Sequence, residues 1–223
     1  TIETHQESQA FHELGQTLAF CDDTRDMGIT YFADFKDFKL PSTQMVPDLD
    51  KCIDRIKQNH GAFAFCDGSW AEPSIVGYLF SMGGGLIDWG TSIVKVTCLS
   101  SQHAEIAAAY RLCKAVKYIR QLATDMGMVM KVPMVVFIDS TPAIDHSKNV
   151  GTSKRTFHLE RWEYFFRQCT QRQWIGPHWV GTKFQLADAM TKVIDATHFL
   201  IFRDYVLVVI KDEMIMALKR KAD

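Results

Sequence analysis

No two cysteines in this sequence have the spacing of a metal site or of a redox motif. The six cysteines are scattered along the chain without a Cys-x-x-Cys pair. A chain of 223 residues, 47% of them hydrophobic, can bury one full core or two small ones without disulfide staples. The sequence therefore argues against a disulfide-stabilised or zinc-binding protein, and we expect reduced thiols in an intracellular protein.

Long hydrophobic runs and an excess of positive charge are also lacking. The longest uninterrupted apolar run, Tyr205 to Ile210, is far too short to cross a bilayer. The N-terminus has no basic segment followed by an apolar core, so we expect no membrane partner. A formal net charge of −1 argues against a protein that coats nucleic acid by bulk charge, and any nucleic-acid contact must be local.

Two apolar runs that stop at a carboxylate are the most informative positive feature. The strand pattern that begins at Gly61 ends at Asp67, and the run from Pro133 to Ile138 ends at Asp139. Active-site groups of open α/β sheets collect at strand ends. Either aspartate alone is more simply explained as an ordinary turn residue, so the pair gains weight only from further carboxylates.

Two further carboxylates stand near predicted helix starts. Ser100 and Ser101 precede a long run of helix formers, and Glu105 lies in its first turn or just past it, where capping and dipole compensation are the ordinary explanations. Asp188 lies in the first turns of a helix that follows a predicted strand, Trp174 to Val180. Each of the four acids therefore begins or ends an element.

The order of elements predicts three strands in an antiparallel meander, a long helix, a strand, two helices, a strand and a helix. The four acids also lie within short motifs. These are Cys66-Asp67-Gly-Ser-Trp-Ala71, Ser100-Ser101-Gln-His-Ala-Glu105, Asp139-Ser-Thr-Pro-Ala-Ile144 and Gln185-Leu-Ala-Asp188-Ala-Met-Thr191-Lys192. With these motifs, the chain resembles the ribonuclease H domain of Ty1/copia-type retrotransposon polyproteins.

The resemblance implies an α/β, ribonuclease H-like fold. Its five-stranded mixed β-sheet, an antiparallel meander plus parallel strands, would be flanked by helices. We expect this domain at residues 61–195, preceded by a segment, 1–60, that resembles the end of the reverse transcriptase region. A C-terminal helix and basic tail would occupy residues 196–223. The polymerase Asp-Asp motif is missing, so no polymerase activity is inferred.

The resemblance also implies a metal-dependent endoribonuclease that cuts the RNA strand of an RNA–DNA hybrid. Asp67, Glu105, Asp139 and Asp188 would be the catalytic residues and the ligands of two Mg²⁺ ions, with Mn²⁺ able to substitute. Asp67 would bridge the ions, and Glu105 would sense the ribose 2′-hydroxyl that distinguishes RNA from DNA. The family's cellular relatives carry a histidine before the last aspartate, but residues 181–185 contain none.

Nucleic-acid contacts are expected from a further set of polar residues in the matched motifs: Ser100, Ser101, Ser140, Lys154, Arg155, Thr156, His158, Thr182 and Lys183. The stretch from Lys148 to Arg172 holds six basic residues against two acids. It is either a solvated face or a patch that follows a phosphate backbone. The expected partners are the hybrid and the reverse transcriptase of the same polyprotein, in the cytoplasm, a virus-like particle or the nucleus.

Two other classes of function remain open at this point. One is a catalytically decayed or domesticated domain that binds nucleic acid or acts as a scaffold. It is favoured by departures from the family pattern, such as Ser140 in place of asparagine and Phe157 in place of lysine. The other is an integrase-type nuclease, which uses three carboxylates and a late glutamate instead of Asp188.

Overall fold

The computed structural model describes residues 27–28, 49–148, 159–206 and 208–209. Two compact units are distinguished, residues 1–30 with 204–223 and residues 31–203. In the first, strand β1 (Met27–Gly28) pairs antiparallel with strand β7 (Val208–Val209). Most of the predicted segment 1–60 lies outside the described residues, as do Lys154, Arg155, Thr156 and His158. The predicted domain boundaries stay predictions.

The second unit contains the predicted succession of strands and helices. Its other strands are β2 (Phe63–Ser69), β3 (Ile75–Met82), β4 (Gly85–Ile93), β5 (Met134–Ile138) and β6 (Ile175–Trp179). The described helices are α1 (Leu49–Gln58), α2 (Ser101–Asp125), α3 (Thr141–Lys148), α4 (Leu159–Gln171) and α5 (Ala196–Val206). Ser100 caps α2, because its side chain accepts a hydrogen bond from the backbone N–H of His103 at 3.1 Å.

Strands β2 to β6 form one five-stranded sheet in the order β4-β3-β2-β5-β6. The meander β2-β3-β4 is antiparallel, whereas β5 is parallel to β2 and β6 is parallel to β5. Every residue of β5 is buried, as expected for an apolar strand inside a sheet. The predicted fold class, a mixed sheet that combines a meander with parallel strands, is confirmed.

Side chains of β2 alternate between the two faces of the sheet. Ala64 and Cys66 belong to the core cluster formed with α2. The rings of Phe63 and Phe65 lie outside this cluster and contact Phe137 of β5, with 4.9 Å between the centroids of Phe65 and Phe137. Both faces of β2 are therefore packed, and polar side chains of this strand are found near its carboxyl end.

Three elements differ from the sequence-based predictions. Strand β2 does not stop at Asp67 but continues through Gly68 to Ser69, because these residues still pair with β3. The helix expected to carry Asp188 is replaced by two short 3-10 helices, Thr182–Phe184 and Leu186–Met190. Gln185 separates them with extended backbone, because its side chain donates to the carbonyl of Cys66 at 3.0 Å and accepts from the N–H of Ala187. The C-terminal helix ends at Val206, and Val208–Val209 is extended, as β-branched residues favour.

The described cysteines, Cys52, Cys66, Cys98, Cys113 and Cys169, are free and buried, so the expectation of reduced thiols holds for them. None of the described helices combines the length and apolar character needed to span a bilayer.

Candidate metal centre

The register of the parallel strands brings two of the predicted carboxylates together. Ala64 pairs with Val136 and Phe65 with Phe137. Continuing this register by two residues places Asp67, near the carboxyl end of β2, opposite Asp139, which directly follows β5. Asp67 is 2% exposed and Asp139 is half-buried. The parallel pairing thus turns two strand-terminal acids into neighbours.

Glu105 joins them because α2 lies unusually close to β2. A Cβ atom on Gly68 would lie 2.2 Å from the carbonyl oxygen of Ala104 and 2.8 Å from the amide nitrogen of Glu105. Only glycine permits this approach. Ligand atoms of Asp67, Glu105 and Asp139 consequently lie within 4.8 Å of one another. We call these three residues the carboxylate cluster.

Asp188 is brought to the same end of the sheet by a second close approach. A Cβ on Gly77, the partner of Asp67 in the β2–β3 ladder, would lie 2.5 Å from the Cβ of Met190. Thr91 of β4 donates a hydrogen bond to the carbonyl of Met190 at 2.6 Å. The 3-10 helix that carries Asp188 is therefore held against β3 and β4, although Asp188 is not one of the three acids of the cluster.

Lys192 connects Asp188 to the cluster. Its Nζ lies 2.9 Å from Oδ1 of Asp188 and 4.0 Å from Oδ2 of Asp67. The hydroxyl of Thr191 donates a short hydrogen bond to Oδ2 of Asp67. One ammonium group thus lies between two buried carboxylates, where it offsets part of their mutual repulsion.

The electrostatics of the site favour protonated carboxyl groups. Burial, followed by the neighbouring Asp67 and Asp139, raises the pKa of Glu105 to about 9. Burial and Asp67 raise the pKa of Asp188 to about 7, even though Lys192 acts in the opposite direction. The pKa of Asp139 is also raised, by burial and by Asp67, while a hydrogen bond from Thr182 opposes the shift. The arrangement concentrates more negative charge than it neutralises.

This donor set fits a hard divalent cation. Within the described part of the chain, Oε2 of Glu105 is buried and has no hydrogen-bond partner. A buried carboxylate oxygen without a donor is costly unless a cation or a proton reaches it. Clustered carboxylate oxygens are the ligands that Mg²⁺ and Mn²⁺ prefer. Asp67, Glu105 and Asp139 could hold one ion, and Asp188 could contribute once Lys192 moves away.

The predicted nucleic-acid contacts have mixed placements. Ser100 caps α2 and Ser140 caps α3, where its Oγ accepts from the N–H of Ala143 at 3.3 Å. Ser101, Thr182 and Lys183 are exposed near the site. In the predicted basic stretch, Arg167 is buried beside His146, at 3.0 Å, and Arg172 lies over the ring of Trp174. The described part of that stretch is therefore not one continuous patch.

Sequence reasoning gave no role to four residues that shape the site. Lys192, Thr191 and Gly77 were noted only as parts of matched motifs, and Gly68 only as a turn residue in such a motif. The separation of Lys192 from Asp188 by four residues is a signal for an ion pair. Nothing in the sequence shows that Thr191 meets Asp67 or that the two glycines admit neighbouring backbone, because these contacts join distant segments.

The chain has sequence relatives among known proteins. No model of a known protein family matches the chain. It is 31% identical over 135 residues to the Retrovirus-related Pol polyprotein from transposon TNT 1-94 of Nicotiana tabacum, covering 60% of this chain and 10% of that protein. It is 28% identical over 156 residues to the Pol polyprotein from transposon RE1 of Arabidopsis thaliana, covering 63% and 11%. The chain spans about a tenth of the length of these curated relatives.

Solved structures with a similar arrangement include ribonuclease H1 of Halobacterium salinarum, with 19% identity and a TM-score of 0.41, covering 58% of this chain and 93% of that one. Another is LC11-RNase H1 in complex with an RNA/DNA hybrid, with 13% identity, a TM-score of 0.46 and the same coverages.

The sheet order, the strand directions and the acids at the strand ends define a ribonuclease H-like fold. The sequence relatives of the chain are Pol polyproteins of plant retrotransposons. The chain therefore resembles the ribonuclease H domain of a retrotransposon polyprotein, as its motifs predicted.

Proposed function

We propose that this chain is a divalent-metal-dependent nuclease domain that cleaves the RNA strand of RNA–DNA hybrids and derives from a copia-like retroelement. The observation that carries the proposal is the carboxylate cluster, with its unpartnered Glu105 oxygen, at the carboxyl ends of two parallel strands. We extend the proposal to a working partnership with a reverse transcriptase of the same polyprotein, inside the cell.

Each carboxylate has a distinct position in this proposal. We assign the role of bridging two ions to Asp67 by resemblance, and its position near both Glu105 and Asp139 and the Asp188–Lys192 pair supports that assignment. The hydroxyl of Thr191 fixes the orientation of the Asp67 carboxylate by donating to it. Glu105, at the N-terminal end of α2, is assigned by resemblance to the 2′-hydroxyl beside the scissile phosphate.

Bound divalent ions would supply a nucleophilic water at neutral pH and stabilise the leaving oxygen of an in-line displacement. For the ions to bind, Glu105 and Asp188 have to lose their protons, and the ion pair between Lys192 and Asp188 has to break. The raised pKa values of Glu105 and Asp188 mean that cations and protons compete for the same oxygens. Lys192 is 42% exposed at its side chain, so it can turn toward solvent or toward a substrate phosphate when a cation takes its place.

The test is cleavage of labelled RNA–DNA hybrid, duplex RNA and duplex DNA by the purified chain, with and without Mg²⁺. We expect cleavage of the RNA strand of the hybrid only, and only with the ion. Asp139→Asn should lower turnover by at least about 100-fold, because a lost ligand removes several kcal/mol of transition-state stabilisation. Asp145→Asn, on the exposed side of α3, makes the same chemical change outside the cluster and should retain activity.

Full activity of Asp139→Asn would refute the site, and equal cleavage of all three duplexes would refute the substrate. A wild-type protein that binds Mg²⁺ and hybrid but never cleaves would instead support the decayed, binding-only alternative.

A further inference from the structure

A groove on the outer side of helices α2 and α4 has an unusual lining for a chain with a net charge of −1. It encloses about 900 Å³. Four of the residues that line it are cationic, namely Lys114, Lys117, Arg120 and Arg161, and five are aromatic. None of the described lining residues is acidic. We call this feature the α2–α4 groove.

Two helices build the groove from matching stripes. On α2, the lining residues recur at helical spacing from Tyr110 to Thr124, and on α4 from Arg161 to Gln168. The helices run in the same direction, because His103 contacts Trp162 near one end and Arg120 contacts the carbonyl of Trp174 near the other. The α2 wall of the groove is therefore about 21 Å long and the α4 wall about 10 Å, at about 1.5 Å for each helical residue.

Its cations are of two kinds. Arg120 is committed to the fold, since its guanidinium donates to the carbonyls of Met130 at 2.9 Å and Trp174 at 3.4 Å. Lys114, Lys117 and Arg161 are exposed. Lys114 also lies over the ring of Tyr110, with 4.7 Å between Nζ and the centroid. Three cations thus remain available to an anionic ligand along one side of the molecule.

The aromatic rings complete the recognition chemistry. Tyr118 of α2 is 69% exposed and Tyr164 of α4 is 61% exposed, and both side chains line the groove. Exposed rings interleaved with cations are the features with which proteins bind single-stranded nucleic acid, because bases stack on the rings while phosphates meet the cations. An acidic peptide would use the cations but would have no planar bases to stack on the tyrosines.

We propose that the α2–α4 groove is a binding site for single-stranded nucleic acid, separate from the carboxylate cluster. The groove lies over the junction of two packed helices, whose axes are about 8–10 Å apart, so it is a narrow surface depression that one flexible strand can follow. A double helix fits this lining less well, because its bases are paired and stacked on one another and are not free to stack on the tyrosines. The groove begins little more than one helical turn beyond Glu105 on the same helix, but none of its described lining residues belongs to the carboxylate cluster, so binding in it requires no metal ion there.

The test is fluorescence anisotropy of the full chain with a labelled oligothymidylate of about 12 nucleotides, in EDTA so that the cluster takes no part. The double variant Lys117→Gln/Arg161→Gln should weaken binding and make the salt slope shallower by about 1.4, since each phosphate on a single strand contributes about 0.7. Lys57→Gln/Lys95→Gln, which removes two exposed lysines elsewhere, should change neither.

The aromatic variants separate stacking from charge. Tyr118→Leu and Tyr164→Leu should each weaken binding about fivefold or more while leaving the salt slope unchanged. Trp89→Leu, which removes an exposed ring on β4, is the matched control and should bind as the wild type does. Melting curves of all variants establish that they remain folded.

Several outcomes of these binding experiments would contradict the proposed site for single-stranded nucleic acid. Absence of binding, binding that survives both groove variants, or equal affinity for a duplex of the same length would overturn the proposal. Competition by polyglutamate as strong as that by the oligonucleotide, with unaffected tyrosine variants, would show a groove for acidic protein and would also overturn it. Failure here leaves the proposed hybrid cleavage untouched, because that reaction is measured with Mg²⁺ at the carboxylate cluster.

Discussion

Helix α2 separates two regions of opposite charge. Around its N-terminal end, Glu105 meets Asp67 and Asp139, and Lys192 is the cation shown to pair with Asp67 and Asp188. Along the rest of the helix, lysines and aromatic rings line the α2–α4 groove, without a carboxylate among the described lining residues. The first region is buried and crowded, whereas the second is open to solvent.

This contrast in burial decides how each region responds to change. In the cluster, acids are desolvated and close together, so their protonation and the stability of the fold are linked. In the groove, the exposed lysines and Arg161 keep their hydration, and removing one is expected to alter binding more than stability. Comparing variants from the two ends of one helix therefore distinguishes a metal-binding role from a nucleic-acid-binding role.

The largest effect is expected from pH. The pKa of Glu105 is about 9 in the folded chain against 4.5 for an ordinary glutamate. Between these values the folded state holds a proton that the unfolded state has lost. The contribution of the Glu105 carboxyl to the free energy of unfolding is therefore fully present below about pH 4.5. It is lost as the pH rises toward about 9, by up to about 1.4 kcal/mol for each pH unit. Asp188, with its pKa near 7, adds a loss of the same sign.

Melting curves in EDTA from pH 5 to pH 9 check this expectation. Glu105→Gln should flatten the profile and stabilise the ion-free protein at about pH 8, because the neutral amide does not have to take up a proton on folding. Lys117→Gln, from the groove end of the same helix, should leave the profile as it is. A wild-type melting temperature that stays constant, or rises, over this range would contradict the crowded-acid picture of the cluster.

The next largest effect is expected at Gly68. An added methyl group would meet the backbone of Ala104 and Glu105, which cannot turn aside as a flexible side chain would. Gly68→Ala should destabilise the fold by about 1–3 kcal/mol and weaken Mg²⁺ binding, because it pushes α2 away from β2. Gly181→Ala is the control, since its nearest neighbours are 3.7 Å away and its backbone suits alanine. Chemical denaturation, with m-values compared, measures both.

Oligonucleotide binding by Gly68→Ala sharpens the comparison further. If the two regions are separate, the variant should bind the oligothymidylate with nearly wild-type affinity as long as it is folded. Equal losses of Mg²⁺ and oligonucleotide binding would instead indicate that the two ends of α2 form one site.

The smallest effect is expected at Lys192. Replacing it with methionine removes the cation between Asp67 and Asp188, so the ion-free protein should be less stable and Mg²⁺ should bind more tightly. A partly exposed ion pair is worth up to about 1 kcal/mol, which corresponds to a change in Mg²⁺ affinity of about two- to fivefold. Isothermal titration calorimetry measures it, with Lys183→Met as the exposed control. Weaker Mg²⁺ binding by Lys192→Met would contradict competition between the ammonium and the ion.

Much of the fold could be predicted from local patterns. The runs ending at Asp67 and Asp139, the glycine turn between β3 and β4, and the serines before α2 predicted their elements, because strand alternation, turn chemistry and capping act over a few residues. The motifs around the four acids also predicted that these acids belong to one site. Their assignment as metal ligands stays a prediction until ions are measured.

Local patterns failed where distant segments decide the outcome. The segment carrying Asp188 has helix-forming residues, but Gln185 is held by the carbonyl of Cys66, and the chain forms two 3-10 helices instead. The basic stretch up to Arg172 looked continuous because charge was counted along the chain. In space, Arg167 is buried while Arg161 joins lysines from α2, more than forty positions away.

The sequence by itself determined the succession of strands and helices and the presence of acids at their ends, since both depend on short-range periodicity and on residue type. The tertiary structure decided which groups meet. The parallel register sets Asp67 beside Asp139, two side-chain-free glycines let α2 and the 3-10 helix approach the sheet, and the packing of α4 on α2 gathers cations and rings into one groove. These contacts span long stretches of chain, and only the closure of the core fixes them.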